Sequence, residues 1–477
     1  MIFMKLKELI SCSENIGNIE ISGITNDSRV VKQGYVFVCI NGTDLDGHKF
    51  ANQALDKGAS VIVAERDLGI ENQIIVDDTH AVFADMCSKW FSNPAKDLKL
   101  IGVTGTNGKT SVTYMIKKIL EAQGFKVGLI GTIQNMIGDE VIATKNTTPG
   151  VYELNSLFSL MKAKGCTYVI MEVSSHALDQ CRVYNLNFET AIFTNLTQDH
   201  LDYHITMENY LNAKKKLFKM CETAIVNLDD PYAKDIIKEL DCKIVTYSTG
   251  DNSTYSAKAI KYRPDSVDYE LVGDAVINHI KVHTGGSFTV YNSLAAAVCA
   301  LELGFNISDV AGALALLDGV KGRAEAVPTG KDFTVIIDYA HTPDGLKNIL
   351  NTFKECEKNR LVSLFGCGGD RDKTKRPIMG SIAARYSDFV IVTSDNPRSE
   401  EPSAIIDDIL VGMDGTVTPY KVIENRIEAI KYAISTAQSG DIIVLAGKGH
   451  ETYQILKDKT IYLDEREVVA EALAELG

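Results

Sequence analysis

Short apolar runs recur along the chain and alternate with longer stretches whose apolar residues fall at helical spacing. The runs Tyr35–Ile40, Val61–Ala64, Leu100–Thr104, Tyr168–Met171, Ala191–Phe193, Ala224–Val226, Thr334–Ile337, Arg360–Phe365, Phe389–Val392 and Asp441–Leu445 are mostly too short for helices and rich in Val and Ile. Strands covered on both faces read this way, so the alternation predicts α/β domains with mostly parallel sheets. No repeat of roughly 20–50 residues and no low-complexity tract interrupts it.

Two turn-rich segments divide the pattern. Ser92–Asp97 separates a helix ending near Trp90 from a fresh strand, and Gly319–Thr329 precedes another. The expected domains are 1–97, 98–326 and 327–477, three being what a chain of 477 residues suggests. All three carry the α/β alternation, with a mostly parallel sheet expected in the second.

Composition narrows the function. Apolar residues at 45% and charged residues at 23% describe a soluble globular protein. A formal charge of −14 speaks against a nucleic-acid or anionic-membrane partner, although a locally basic pocket for a small anion remains compatible with it. No apolar stretch approaches the roughly 20 residues of a membrane helix, and the first residues lack a signal-peptide pattern, so a cytoplasmic protein is expected. The ten cysteines are scattered without a CxxC pair and read as reduced thiols, mostly small core residues. Cys367, in a Gly-rich turn, is the one nearest to possible chemistry, with core packing the preferred reading.

The chemistry begins after the Leu100–Thr104 strand. Gly105-Thr106-Asn107-Gly108-Lys109-Thr110 leads into a helix expected from Ser111 to Glu121 and ended by Gly124. This strand–loop–helix order brings backbone N–H groups together at a helix N-terminus and suits the phosphates of ATP. Lys109 would reach the β- and γ-phosphates, and the Thr110 hydroxyl would ligate Mg²⁺. Val103 stands where the general phosphate-loop pattern has Gly. Downstream, Glu172 ends a strand, where a metal-binding or water-orienting acid belongs; the alternative is a carboxylate favoured by a helix dipole. Asp199, His200, Asp202 and His204 then crowd six residues, with the two histidines spaced to share a helix face. A histidine pair alone is weak support for zinc, and Mg²⁺ beside ATP is the more economical ion. Of Lys214, Lys215 and Lys216, two read as a solvated helix face.

Together these residues resemble the Mur ligase superfamily, the ATP-dependent amide ligases of bacterial cell-wall precursor synthesis. TGTNGKT (104–110), MEVSSHAL (171–178), TNLTQDHLDYH (194–204), YLNAKKKLF (210–218), YNSLAAA (291–297), GRAE (322–325), DYAHTPDGL (338–346), FGCGGDRDKTKRPIMG (365–380), SDNPRSEEP (394–402) and AGKGHETYQ (446–454) stand in the family's order over nearly the whole chain. The resemblance is strongest to members that add the third residue of the peptide stem to UDP-N-acetylmuramoyl-L-alanyl-D-glutamate. It implies a central P-loop ATPase domain with its ATP site at Gly105–Ser111 and Asn292 on the adenosine, and a Rossmann-like α/β C-terminal domain. It implies Mg²⁺ ligands at Thr110, Glu172, His200 and Lys214, the lysine as a CO₂-derived carbamate, with Lys109, Glu172, His200 and Lys214 as the catalytic set. An ammonium would repel the metal, whereas a carbamate is an anionic ligand.

The first domain then resembles a UDP-sugar site through Asn26, Ser28, Thr43, Asp44 and Leu45, and the sugar-peptide through Asn146, Thr147, Thr148, Ser174, Gln180 and Arg182. The resemblance places the incoming amino acid at Arg371, Asp395, Asn396, Pro397, Arg398, Gly447 and Glu451. Members adding meso-diaminopimelate share the arginine of Asp395-Asn396-Pro397-Arg398. A guanidinium grips the distal carboxylate of that amino acid, and would repel the terminal ammonium of lysine. Arg371 would be a second carboxylate clamp, while Gly447 and Glu451 would hold the distal ammonium. The implied protein is a monomer with small-molecule substrates only. The rivals are a ligase for lysine or another diamino acid, a folylpolyglutamate or cyanophycin ligase, and a nucleotide-binding regulator that has lost ligation. The first domain and Arg398 disfavour the second, and the presence of every metal and phosphate position disfavours the third.

Overall fold

The structure, a computed structural model, describes residues 3–42, 45–274, 276–317, 319–354, 356 and 358–476. They fall into two compact units, Met1–Gly105 with Leu120–Val226 and Asp230–Val245, and Thr106–Ile119 with Asn227–Asp229 and Thr246–Gly477.

In the first unit β1 (Gly23–Thr25), β2 (Tyr35–Val38), β3 (Ala59–Ala64) and β4 (Gln73–Ile75) form a parallel sheet in chain order. Its side chains alternate between two covers. Phe37, Ile62 and Ala64 meet Ala51 and Ala54 of α1 (Ala51–Asp56), whereas Val36, Val38, Val61 and Val63 meet Phe83, Met86 and Trp90 of α2 (Thr79–Trp90). Helices on both faces make such strands apolar without interruption. The Asp78 side chain caps α2 by accepting from the Ala81 N–H.

Seven neighbouring strands of an eleven-stranded sheet lie in this unit, in the order β8-β7-β6-β9-β5-β10-β11. These strands are β5 (Lys99–Thr104), β6 (Val127–Ile130), β7 (Asn135–Ile137), β8 (Glu140–Ile142), β9 (Tyr168–Glu172), β10 (Phe188–Phe193) and β11 (Cys221–Asn227). All run parallel except the edge hairpin β7–β8. β5 lies between β9 and β10, with Glu172 level with Val103 and Phe193 level with Thr104. The carboxyl ends of three strands therefore meet at one sheet edge, where parallel α/β sheets hold ligands. Val103 is a fully buried strand residue, and the loop starts two residues later; this is the physical reason a β-branched residue stands there.

Helix α3 (Lys109–Ala122) and strand β12 (Lys243–Ser248) each carry the chain from one unit into the other. The second unit continues with an antiparallel meander, β13 (Tyr255–Tyr262), β14 (Val267–Gly273) and β15 (Val276–Val282), followed by the buried helix α6 (Ser287–Glu302). Two helices of the first unit precede it in the chain, α4 (Ser175–Asp179) and α5 (Met207–Phe218). The last sheet has the order β16-β17-β21-β18-β19-β20. Its strands are β16 (Glu325–Val327), β17 (Thr334–Asp338), β18 (Leu361–Phe365), β19 (Phe389–Val392), β20 (Tyr420–Val422) and β21 (Ile442–Ala446), of which only β16 pairs antiparallel. Helices α7 (Pro343–Lys354), α8 (Lys375–Tyr386) and α9 (Pro402–Val411) cover one face, and α10 (Arg426–Ser435) and α11 (Glu465–Glu475) the other. Each apolar run expected as a strand is one, with ends moved by at most three residues.

No described helix is long and apolar enough to cross a membrane. Cys367 is buried in the core under α8, and burial pushes its thiol up to about 12, which makes it a packing residue.

Candidate active site

The phosphate loop turns on two glycines. Gly105 has φ +148° and Gly108 φ +88°, and a Cβ on Gly105 would lie 1.9 Å from Thr194 Oγ1. In the second unit Lys109 opens α3, and its ammonium donates to the Thr106 carbonyl at 2.8 Å. Thr110 is buried, and Arg323 Nη2 donates to its hydroxyl at 3.4 Å. Arg323 also lies 5.0 Å over the Tyr339 ring, and its Nε is buried without a hydrogen-bond partner. Asn107 Nδ2 donates to Asp344 Oδ2 at 3.3 Å. Thr106 and Ser111 are half-buried in the same segment, and Asn292 is buried on α6. Arg323 and Asp344 were not among the expected site residues. GRAE and DYAHTPDGL were legible as motifs, but nothing in their spacing points at the loop.

In the first unit Glu172 is buried at the tip of β9. One carboxylate oxygen accepts the Thr132 N–H and the other its hydroxyl, both at 2.9 Å. Thr132 Oγ1 is 3.0 Å from Thr147 Oγ1. Thr148 Oγ1 donates to the Glu172 carbonyl at 2.8 Å and accepts the Ser174 N–H at 3.0 Å. Arg182 Nη1 donates to the Thr148 carbonyl at 2.8 Å, and Nη2 donates to Gln180 Oε1 at 2.6 Å. The structure thus gathers Glu172, Thr147, Thr148, Ser174, Gln180 and Arg182 around one strand end, while Asn146 stays exposed beside them. Thr132 joins this group without a sequence signal of its own.

Nearby, His200 takes φ +54° and caps a short turn that ends at His204. The two rings do not simply share a helix face: both pack about His176 on α4, at centroid distances of 4.9 and 5.5 Å. Burial first, and repulsion by the other two histidines next, pushes His176 down to about 4. Tyr210 on α5 stacks on His204 at 5.0 Å and receives the Lys214 ammonium 4.4 Å from its centroid. Lys214 is 1% exposed. Lys216 is exposed as expected, but Lys215 is largely covered, its side chain 15% exposed and 3.4 Å from Glu239, because α5 packs that side against the chain before β12. Among the described residues no group of three or more His, Cys, Asp and Glu converges as a metal set.

Of the expected UDP-sugar residues, Asn26 and Ser28 lie in the segment after β1 and Leu45 in the segment after β2. Ser28 is buried and donates to Gln53 Oε1 at 2.9 Å, Asn26 is exposed, and Leu45 is exposed. Thr43 and Asp44 lie outside the described residues. His48 Nε2 accepts the Glu65 N–H at 3.0 Å, so Nδ1 carries the proton and donates to Asp46 at 2.6 Å, closing the base of this loop.

The third group forms where β19 and β21 end. Asn396 Nδ2 donates to Glu451 Oε2 at 3.0 Å, and the fully buried Lys448 ammonium donates to Asn396 Oδ1 at 3.0 Å and to Glu451 Oε2 at 2.7 Å. The Ile455 N–H also bonds Asn396 Oδ1, at 2.9 Å. Asp395 is buried, and its Oδ2 has no hydrogen-bond partner; a Cβ on Gly447, at φ +117°, would lie 2.6 Å from that oxygen. Arg398, following Pro397 at φ +52°, donates from Nη1 to the Gly369 carbonyl at 2.9 Å. A Cβ on Gly368 would come within 2.8 Å of Arg398 Nη1 and 3.8 Å of Arg371 Cγ, so both arginines flank one glycine. Arg426 Nη2 donates to the Ala446 carbonyl at 2.9 Å and Nη1 to the Ser394 carbonyl at 3.4 Å, holding the roots of both loops. Glu465 compensates that buried guanidinium at 2.7 Å. Lys448 and Arg426 are additions to the expected residues; both look like ordinary polar positions in the sequence.

A profile of the Mur ligase middle domain matches residues 103–300, one of the Mur ligase glutamate ligase domain residues 322–449, and one of the Mur ligase family catalytic domain residues 20–90. The chain belongs to the Mur ligase family, whose members are ATP-dependent amide-bond-forming ligases. It is 50% identical over 463 residues to the UDP-N-acetylmuramoyl-L-alanyl-D-glutamate–2,6-diaminopimelate ligase of Caldanaerobacter subterraneus subsp. tengcongensis, covering 96% of each chain. It is 47% identical over 485 residues to the like-named ligase 1 of Clostridium acetobutylicum, covering 99% of this chain and 100% of that one. A solved UDP-N-acetylmuramoyl-L-alanyl-D-glutamate–2,6-diaminopimelate ligase superposes with a TM-score of 0.76 at 33% identity, covering 100% of this chain and 99% of the other. The folylpolyglutamate synthase of Mycobacterium tuberculosis, at 17% identity and a TM-score of 0.63 over 82% of this chain and 94% of its own, shares the fold alone.

Proposed function

We propose that the chain is the ATP-dependent ligase that joins meso-diaminopimelate to UDP-N-acetylmuramoyl-L-alanyl-D-glutamate in the making of peptidoglycan precursors. Its proposed domains are 1–97 for the UDP-sugar, 98–326 for ATP and 327–477 for the amino acid, in a cytoplasmic monomer. It covers 96% and 100% of the length of two relatives of that name.

The D-glutamate γ-carboxylate of the bound precursor attacks the γ-phosphate of ATP and releases ADP, leaving an acyl phosphate. Lys109, Arg323 and the amides of residues 105–111 neutralise the charge on the transferring phosphoryl group. Mg²⁺ would be held by Thr110, Glu172, His200 and a carbamate on Lys214, a mostly oxygen donor set of the kind that ion takes, and would supply positive charge at the phosphates. Lys214, buried on α5 beside Tyr210, is the lysine proposed to carry the carbamate, whose anionic oxygens suit a metal that an ammonium would repel. Thr147, Thr148, Ser174, Gln180 and Arg182 hold the sugar-peptide beside Glu172. Asn26, Ser28, Thr43, Asp44 and Leu45 hold its uridine end, and Asn292 the adenosine. The amine of diaminopimelate then attacks the acyl carbon, and phosphate leaves from the tetrahedral intermediate.

The observation that carries the choice of amine is the charge layout of the third group. Asp395 and Glu451 offer carboxylates and Arg371 and Arg398 offer guanidiniums around Gly368 and Gly447, a pairing that matches a zwitterionic distal end. The test is an amino-acid panel with the UDP-dipeptide precursor and ATP, following phosphate release and product mass. Efficient ligation of lysine by the wild type overturns the choice of amine, and absence of phosphate release with every amine overturns the ligase.

A further inference from the structure

We propose that Cys221 and Cys242 form a dithiol site that a low-molecular-weight disulfide converts into an intramolecular disulfide. Cys221 opens β11 and Cys242 lies one residue before β12, its neighbour in the sheet order. The two Sγ atoms are 3.8 Å apart, and both thiols are directed at a single acceptor, the Phe218 carbonyl, at 3.5 and 3.9 Å. Neighbouring strands lie about 4.8 Å apart, inside the Cα separation of roughly 4.4–6.8 Å that a disulfide spans. Bonding at about 2.05 Å asks only for small side-chain rotations.

Access is present as well. Both residues are half-buried and line a cavity of about 510 Å³ together with Lys219, Glu222, Glu239 and Asp241. Six of the other thiols are buried, and the remaining two, Cys12 and Cys181, lie in other segments. Desolvation by burial, with Cys242 adding to it, raises the Cys221 thiol above its ordinary range.

The Cys242 thiolate attacks one sulfur of the small disulfide, the S–S bond breaks, and one small thiolate leaves. Cys221 then gives its proton to water and attacks the Cys242 sulfur of the mixed disulfide, expelling the second small thiolate. Two electrons pass from the protein dithiol to the small disulfide, which ends as two thiols. The new bond would pin the turn after α5, the helix that carries Lys214, to the start of β12.

The experiment uses the full chain and oxidised glutathione as the probe, with acid quenching, alkylation and non-reducing peptide mapping by mass spectrometry. The expected result is a cross-linked peptide joining Cys221 to Cys242 and an intact mass lower by two hydrogens, restored by dithiothreitol. Cys221→Ser should instead accumulate a single glutathione adduct on Cys242. Recovery of both thiols alkylated from a protein that remains folded by circular dichroism overturns the proposal. So does a cross-link that forms only in urea.

Discussion

Replacing Arg398 separates the backbone of its loop from the charge it presents. Its φ of +52° is a left-handed conformation in which Asn is tolerated better than most residues, so Arg398→Asn keeps the turn while Arg398→Ala adds strain. The guanidinium is anchored through Nη1 on the Gly369 carbonyl, which steadies the fork for a carboxylate. A bidentate pair carries two charge-assisted hydrogen bonds, each worth about 1.5–3 kcal/mol, and water entering the vacated space recovers part of the total. A net loss of about 3 kcal/mol lowers kcat/KM for diaminopimelate roughly 100- to 200-fold in both variants. Arg398→Lys keeps the charge but not the fork, and should fall about tenfold. The assay is coupled phosphate release with ATP and precursor saturating, run with diaminopimelate and with lysine, beside a thermal melt of each variant. Lysine use should be unchanged or improved. An Arg398→Asn variant that melts like the wild type yet retains kcat/KM for diaminopimelate within about threefold would remove Arg398 from this role.

Other expectations follow from the same geometry. Lys448→Met removes the buried ammonium from Asn396 and Glu451; kcat/KM for lysine should rise about tenfold relative to that for diaminopimelate, while the KM for ATP stays put in initial-rate measurements. Gly105→Ala drives a methyl into Thr194 Oγ1 at φ +148°; calorimetry should show ATP binding lost, and part of the lowered melting temperature should return with Thr194→Ala added. Arg426→Met leaves Glu465 buried without its cation; urea unfolding should show a loss of about 3–5 kcal/mol. Glu400 is held down to about 2, first by the Arg376 guanidinium and then by the Asp370 N–H. Its folded value lies below its unfolded one, so its contribution is complete above pH 4.5 and fades as pH falls from there toward 2. After discounting for solvent, Glu400→Gln should cost about 1–2 kcal/mol at pH 7 in urea titrations, with a smaller gap at pH 3.5.

The parallel strands were legible because helices cover both faces and leave uninterrupted Val and Ile runs. Their ends were not, where polar residues join a strand: Glu189 in β10 and Glu222 in β11 hide the first turns of those runs. The meander from Tyr255 to Val282 escaped altogether, since segments such as Lys258-Ala259-Ile260-Lys261 carry one wet face and no continuous apolar run. The phosphate loop could be read because strand, glycines and helix are contiguous. Thr132, Arg323 and Lys448 could not: each acquires its partner through the fold, 40, 213 and 52 positions away along the chain. Lys215 misled for the same reason, as the packing side of α5 is set by its neighbours and not by a lysine run.

Glu451 already holds an ammonium, and it belongs to the protein. Tethered three residues away, Lys448 acts as a resident competitor at an effective concentration of about millimolar or above, which no free ligand need match for the site to be filled. A visitor that brings only an ammonium gains little from a carboxylate so engaged. One that brings a carboxylate as well gains from the guanidiniums beyond it. An internal lysine thereby turns a site with acids and bases in equal supply into a filter for molecules that carry both charges at one end.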